Sequence, residues 1–145
     1  MMNDLLSIHL AASIWMTALI CYVQLVHYPS FAYISAEKFC EFHVRHSRNT
    51  TLLVLFPMLV ELTSAASLAW KFPSVASFIL AGLTLVTWAL TFLVFVPLHN
   101  RLAQGADREL ISRLISINWL RTFTWTLKLL WAFVSFVESF TSSSG

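Results

Sequence analysis

Apolar residues dominate four stretches of this chain, roughly Leu5 to Tyr28, Thr50 to Trp70, Val75 to Leu98 and Ile115 to Val137. Each is close to the ~20 residues with which an α-helix crosses a bilayer. The polar residues inside them recur at steps of three, four or seven. In the first stretch they are His9, Ser13, Thr17, Gln24 and His27; in the second, with its polar approach, His43, His46, Thr50, Pro57, Glu61 and Ser64. The third carries Thr84, Thr87 and Thr91, and the fourth Asn118, Arg121, Trp125 and Lys128. Residues so spaced share one face of a helix. Lipid cannot satisfy such a stripe, so each must face protein or a water-filled cavity. Barrel strands would show alternation over about ten residues, and that pattern is missing. The expectation is an all-α, four-transmembrane-helix bundle of up-down topology. It forms a single integral membrane domain over residues 1–145. The expected helices cover about 5–28, 36–70 (the membrane part from about 50), 75–98 and 109–139.

Composition narrows this further. Of the residues 58% are hydrophobic and 11% charged, against a usual charged fraction of about 25%, so little remains for a soluble domain. The first apolar stretch is read as a membrane helix and not as a signal peptide. It has Asp4 in place of a basic leader and no convincing small-residue cleavage site. Cys21 and Cys40 form no ligand motif, and no disulfide is expected between them. The net charge of +2 gives no nucleic-acid signal.

Charge placement sets the orientation. Lys38, Arg45, Arg48, Arg101, Arg108 and Arg113 lie in the connections between helices one and two or three and four, whereas Lys71 lies on the opposite side. The positive-inside rule then puts the long connections in the cytoplasm and both termini on the non-cytoplasmic side. The expected location is the inner membrane of a bacterium. Four helices without an internal repeat give poor alternating access, so a transporter would require a homo-oligomer.

Local signals set the expected breaks. Pro29 ends or redirects helix one, and Pro97 ends helix three. Ser35 is placed to cap an amphipathic approach that continues into helix two. Pro57 deprives the Leu53 carbonyl of its donor, so a kink is expected there, with Thr50 or a water as the local partner. Trp70 suits the interfacial aromatic belt. The threonines of helix three are expected to bond back to their own helix. Gly105 breaks the last connection, Asp107 caps helix four, and the Ser-rich Thr141 to Gly145 is expected to be disordered.

The chemistry-bearing residues fall into two layers. His27, His43, His46, His99, Asn118 and Arg121 all come to the cytoplasmic end. Glu61 and Lys128 lie roughly 15 Å deeper, from a rise of about 1.5 Å per residue. Matched in depth, these two are expected to pair, as a structural clasp or as part of a cavity wall. The planar donors of Arg121 suit a carbonyl-bearing or anionic ligand; the alternative is snorkelling to lipid phosphate. His43 and His46, three apart, can present both rings to one ion, with His27 or His99 completing the shell, or two rings could clamp haem iron. The alternative is that these histidines only bond headgroups and water. The candidate catalytic residues are His43, His46, Arg121 and Asn118. Trp119, Trp125, Glu61, Lys128 and Gln24 are the candidate ligand-binding residues. The candidate metal ligands are His27, His43, His46 and His99. No nucleophile triad or phosphate-cradling glycine loop is present.

The run VFVPLHNRLAQG, followed by LISRLISINWLRTFTW, resembles small bacterial four-helix membrane proteins related to the anthrone-oxygenase family. The likeness is carried by Pro97, His99, Asn100, Leu102, Asn118, Trp119, Arg121 and Thr122, with an N-W-x-R-T motif one residue tighter than the family's N-W-x-x-R-T. It covers the C-terminal third and the helix count. It implies an apolar, aromatic or polyketide-like substrate entering from the bilayer, with oxygen or redox chemistry near Arg121 and the histidines.

The leading expectation is a membrane protein whose His-lined cytoplasmic-side cavity binds or oxidises a hydrophobic redox-active small molecule, with Trp119 and Trp125 as its walls. Two alternatives stay open. One is a haem- or metal-binding electron-transfer protein, and the other a non-enzymatic assembly or helper subunit.

Overall fold

The computed structural model describes residues 1–143, and among these the chain is helical with no strand. Four long helical rods account for nearly all of it: α1 (Met2–Tyr33), α2 (Ala36–Lys71), α3 (Val75–Leu102) and α4 (Arg108–Ser143). The first three are long and apolar enough to cross a membrane. In α4, Asn118, Arg121 and Lys128 interrupt the apolar run. The outer surface is apolar, with Leu52, Phe56, Leu93 and Phe123 all well exposed. Water gives no reason to display so much hydrocarbon, whereas a lipid exterior does.

α1 packs against α2 and α4, and α3 packs against the same two helices, so the four rods close a ring. Side-chain bonds give the register. His9 meets Ser64, Ser13 meets Glu61, and His27 meets His46, so rising numbers on α1 pair with falling numbers on α2. Thr17 with the Trp125 carbonyl and Gln24 with Asn118 set the same opposed register between α1 and α4.

The prolines behave differently from the sequence expectation. α1 runs through Pro29 to Tyr33, and α3 runs through Pro97 to Leu102. Each proline stands two residues past the end of a π-helical turn, Val23–His27 or Leu90–Phe95. At the close of these turns the N–H groups of Tyr28 and Val96 reach five residues back, to the Val23 and Thr91 carbonyls. In a regular α-helix a proline removes one bond and crowds the carbonyl four residues earlier. The wider π turn relieves that crowding, so the helix continues instead of ending. Pro57 lies inside α2. Thr50, expected beside the Leu53 carbonyl, instead puts its hydroxyl 3.0 Å from His46 Nδ1.

The connections are short. Ile34 is extended, and Ser35 occupies the N-cap of α2 without a side-chain cap bond. Ser74 and Ser77 form a reciprocal capping box that starts α3. Asp107 Oδ1 accepts from the N–H groups of Glu109 and Leu110, the expected cap of α4. Thr84, Thr87 and Thr91 do bond back to carbonyls of their own helix. α4 extends to Ser143, beyond the expected end of order at Thr141; the rest of that tail, Ser144 and Gly145, lies outside the described residues. Both cysteines are free.

Candidate functional site

Two polar layers cross the interior. The deeper one is a clasp. Lys128 Nζ lies 2.7 Å from Glu61 Oε2, and neither side chain is exposed. Ser13 donates to Glu61 Oε1 at 2.9 Å, and the Trp125 indole N–H reaches Glu61 Oε2 at 3.4 Å. One turn further along α2, Ser64 meets His9 Nδ1 at 2.9 Å. The carboxylate therefore draws on three helices at once, which fixes their rotation. Apolar residues cover it on both sides, with Leu6, Leu68, Leu80 and Ala132 beyond and Met16, Ile20 and Met58 toward the second layer.

The second layer gathers the histidines. His27 Nε2 lies 2.7 Å from His46 Nδ1, and His43 Nε2 lies 3.0 Å from His99 Nδ1. The Tyr28 hydroxyl lies 2.9 Å from His99 Nε2. A hydrogen bond between two imidazoles needs one bare ring nitrogen, so each pair contains at least one neutral ring. Phe31 packs edge-on against His27, His43 and His46, and Phe39 stacks on His43. His43 Nδ1 is buried with no hydrogen-bond partner among the described residues.

Beside this layer lies a cavity of about 350 Å³, of the size that takes small ligands. Met16, Ile20, Val23, Val54 and Phe95 give it an apolar wall, and Tyr28, His46, His99 and Arg121 give it a polar end. Val44 and Thr51 of α2 and Val96 of α3 are exposed residues on its rim, so it opens sideways between these two helices. Both π turns border it, through Val23 on α1 and Thr91 and Phe95 on α3. π turns are rare and recur at functional sites.

Arg121 is 6% exposed, and its Cζ lies 4.3 Å from the Phe95 ring centroid and 5.3 Å from that of Trp125. The Tyr28 hydroxyl lies beside it. Arg121 Nε is buried with no hydrogen-bond partner among the described residues. Cation–π contact of this kind stabilises by about 0.5–2 kcal/mol, well short of the several kcal/mol that desolvating an ion costs.

The structure thus brings His27, His43, His46 and His99 together and sets His46, His99 and Arg121 on the cavity. The other candidate residues sit elsewhere. Asn118 is fully buried and donates to Gln24 Oε1 at 2.9 Å, while Gln24 donates to the Ile115 carbonyl at 3.2 Å; this pair ties α4 to α1. Trp119 is 54% exposed on the outer face of α4 and does not wall the cavity. Trp125 is buried between Arg121 and Lys128, supporting the guanidinium from behind. Glu61 and Lys128 form the clasp. Among the described residues no three His, Cys, Asp or Glu side chains are disposed to share one metal ion. The histidine nitrogens face one another in pairs and not a common point.

Tyr28 is the site residue that sequence reasoning passed over. It stands four residues after Gln24, so it extends the polar stripe of α1, but the neighbouring Pro29 made that point look like a helix end.

No family model, curated protein or solved structure matches this chain.

Proposed function

We propose that this is an integral membrane protein that binds a hydrophobic, redox-active small molecule in the cavity between α2 and α3, with Arg121 holding the oxygen of its head group. In this reading all four rods span a bacterial inner membrane in up-down order, with both termini outside and the histidine layer on the cytoplasmic side. The Lys and Arg residues of the connections support that orientation. The carrying observation is the cavity itself: an apolar chamber, open toward lipid, ending on a buried guanidinium, a phenol and two imidazoles. Such a chamber accepts an apolar body from the bilayer and orients it by one oxygen-bearing end.

The resemblance of the C-terminal third to anthrone-oxygenase relatives supports a redox-active ligand, with Tyr28, His99 and His46 as the groups able to carry its protons. A metal or haem centre is the weaker reading, because the four rings are bonded to one another in pairs. The helper-subunit reading accounts for the clasp but gives the cavity no role. The test is mass spectrometry of the organic extract from protein purified out of its own membranes, beside a folded Val54→Trp variant whose indole fills the chamber. A hydrophobic compound present with the wild type and missing with Val54→Trp supports the reading. Identical extracts refute it.

A further inference from the structure

The charges of the interior do not balance, and the imbalance says what the cavity holds. α4 buries two cations, Arg121 and Lys128. Lys128 is matched by Glu61 at 2.7 Å. Arg121 has no carboxylate within ion-pair distance among the described residues, and Glu61, the buried carboxylate, is already engaged. Asp4, Glu37, Glu41, Asp107, Glu109 and Glu138 are all exposed. The neighbours of the guanidinium are two aromatic rings and a tyrosine, which contact it without cancelling its charge. A buried charge left unpaired is costly, and proteins bury charges in pairs or against ligands. Arg121 also lines the cavity.

We infer that the ligand is a monoanionic amphiphile: one oxyanion, a carboxylate or a phenolate, seated on Arg121 with the Tyr28 hydroxyl, which then accepts from His99 Nε2–H, as a second donor, and a hydrophobic body along Met16, Ile20 and Val54. The guanidinium fork fits such an oxyanion, and the ligand's charge takes the place that Glu61 takes for Lys128. This inference rests on the reading of the cavity as a small-molecule site. A lipid-derived carboxylate and a free phenol share the required chemistry.

Calorimetry in neutral detergent separates the possibilities with four probes: oleate, its neutral counterpart oleyl alcohol, an alkyl nitrophenol ionised at the assay pH, and the methyl ether of that phenol. In the wild type at least one anion binds at least about tenfold tighter than its neutral partner, a difference of about 1.4 kcal/mol. Arg121→Gln removes the preference, lowering the affinity of the anion by at least about fivefold more than that of its neutral partner. Arg121→Lys keeps part of the preference. A preference for oleate alone assigns a lipid carboxylate, and a preference for the nitrophenol alone assigns a phenolate. Should Arg121→Gln not fold, Tyr28→Phe decides, since it lowers the affinity of the anion by more than that of its neutral partner; an equal loss for both overturns the inference. Equal binding of anion and neutral partner to the wild type overturns the inference and leaves the cavity as a site for neutral molecules. Failure of all four probes, with identical extracts from wild type and Val54→Trp, overturns both.

Discussion

Removing one partner of the Glu61/Lys128 clasp should cost far more than removing both. At 2.7 Å and with both side chains fully buried, the attraction is about 6 kcal/mol at an effective dielectric of about 20. Desolvation of the two ions, several kcal/mol each, offsets most or all of it, so the net contribution of the intact pair is near zero. A single change forfeits the attraction and keeps one desolvated ion. Glu61→Gln leaves the Lys128 ammonium without a counter-charge, beside a neutral amide and the Trp125 ring 5.1 Å away, and should cost about 3–5 kcal/mol. Lys128→Met leaves a carboxylate that still accepts from Ser13 and Trp125, so its cost should fall at the lower end of that range. The double variant should lie within about 1 kcal/mol of wild type. Reversible unfolding in mixed detergent micelles, followed by circular dichroism for all four proteins, gives the cycle. Additive single costs, with the double variant the least stable of the four, would refute the reasoning, as would single costs below about 1 kcal/mol.

Three further outcomes follow from the same geometry. Arg121→Met should raise the stability of ligand-free protein by about 1–2 kcal/mol, since it removes an unpaired buried charge while losing cation–π contact with Phe95 and Trp125; a thermal shift in detergent after delipidation reads the sign, and destabilisation would count against an unpaired charge. His99→Ala should cost about 2–3 kcal/mol, because it strips partners from both His43 and the buried Tyr28; the half-buried His27→Ala should cost less, and the reverse order in unfolding midpoints would contradict the layer described. Asn118→Leu should cost about 0.6–2 kcal/mol, the range of interhelical hydrogen bonds in membranes, and leave probe binding intact; calorimetry showing lost binding would return Asn118 to the site.

The helical class, the stripes and the two polar layers were legible in the sequence because membrane burial leaves polar residues so few places to go. Depth matching placed Glu61 opposite Lys128 from rise per residue alone, and the gathering of His27, His43, His46 and His99 followed from helix ends. What could not be read was local register. A π turn inserts one extra residue into a helix, which carried α1 past Pro29 and α3 past Pro97 and brought Tyr28 inward. Trp119 and Trp125, both in the middle of α4, differ as the stripe implies: Trp125 shares the spacing of Asn118, Arg121 and Lys128 and lies between two cations, whereas Trp119, off that stripe, faces outward, against its expected place in the cavity wall. The cavity itself depends on how α2 and α3 separate, and no single helix encodes that.

As proposed, the chamber beside Arg121 holds a hydrophobic molecule by an oxygen-bearing head. The direct measurement is an experimental density map of the protein taken from its own membranes with no ligand added. Elongated density is expected between α2 and α3, with its head within hydrogen-bond distance of the Arg121 guanidinium and the Tyr28 hydroxyl and its body along Met16, Ile20 and Val54. A chamber closed by protein side chains, or filled by separate waters with Arg121 turned out toward lipid phosphate, would contradict it.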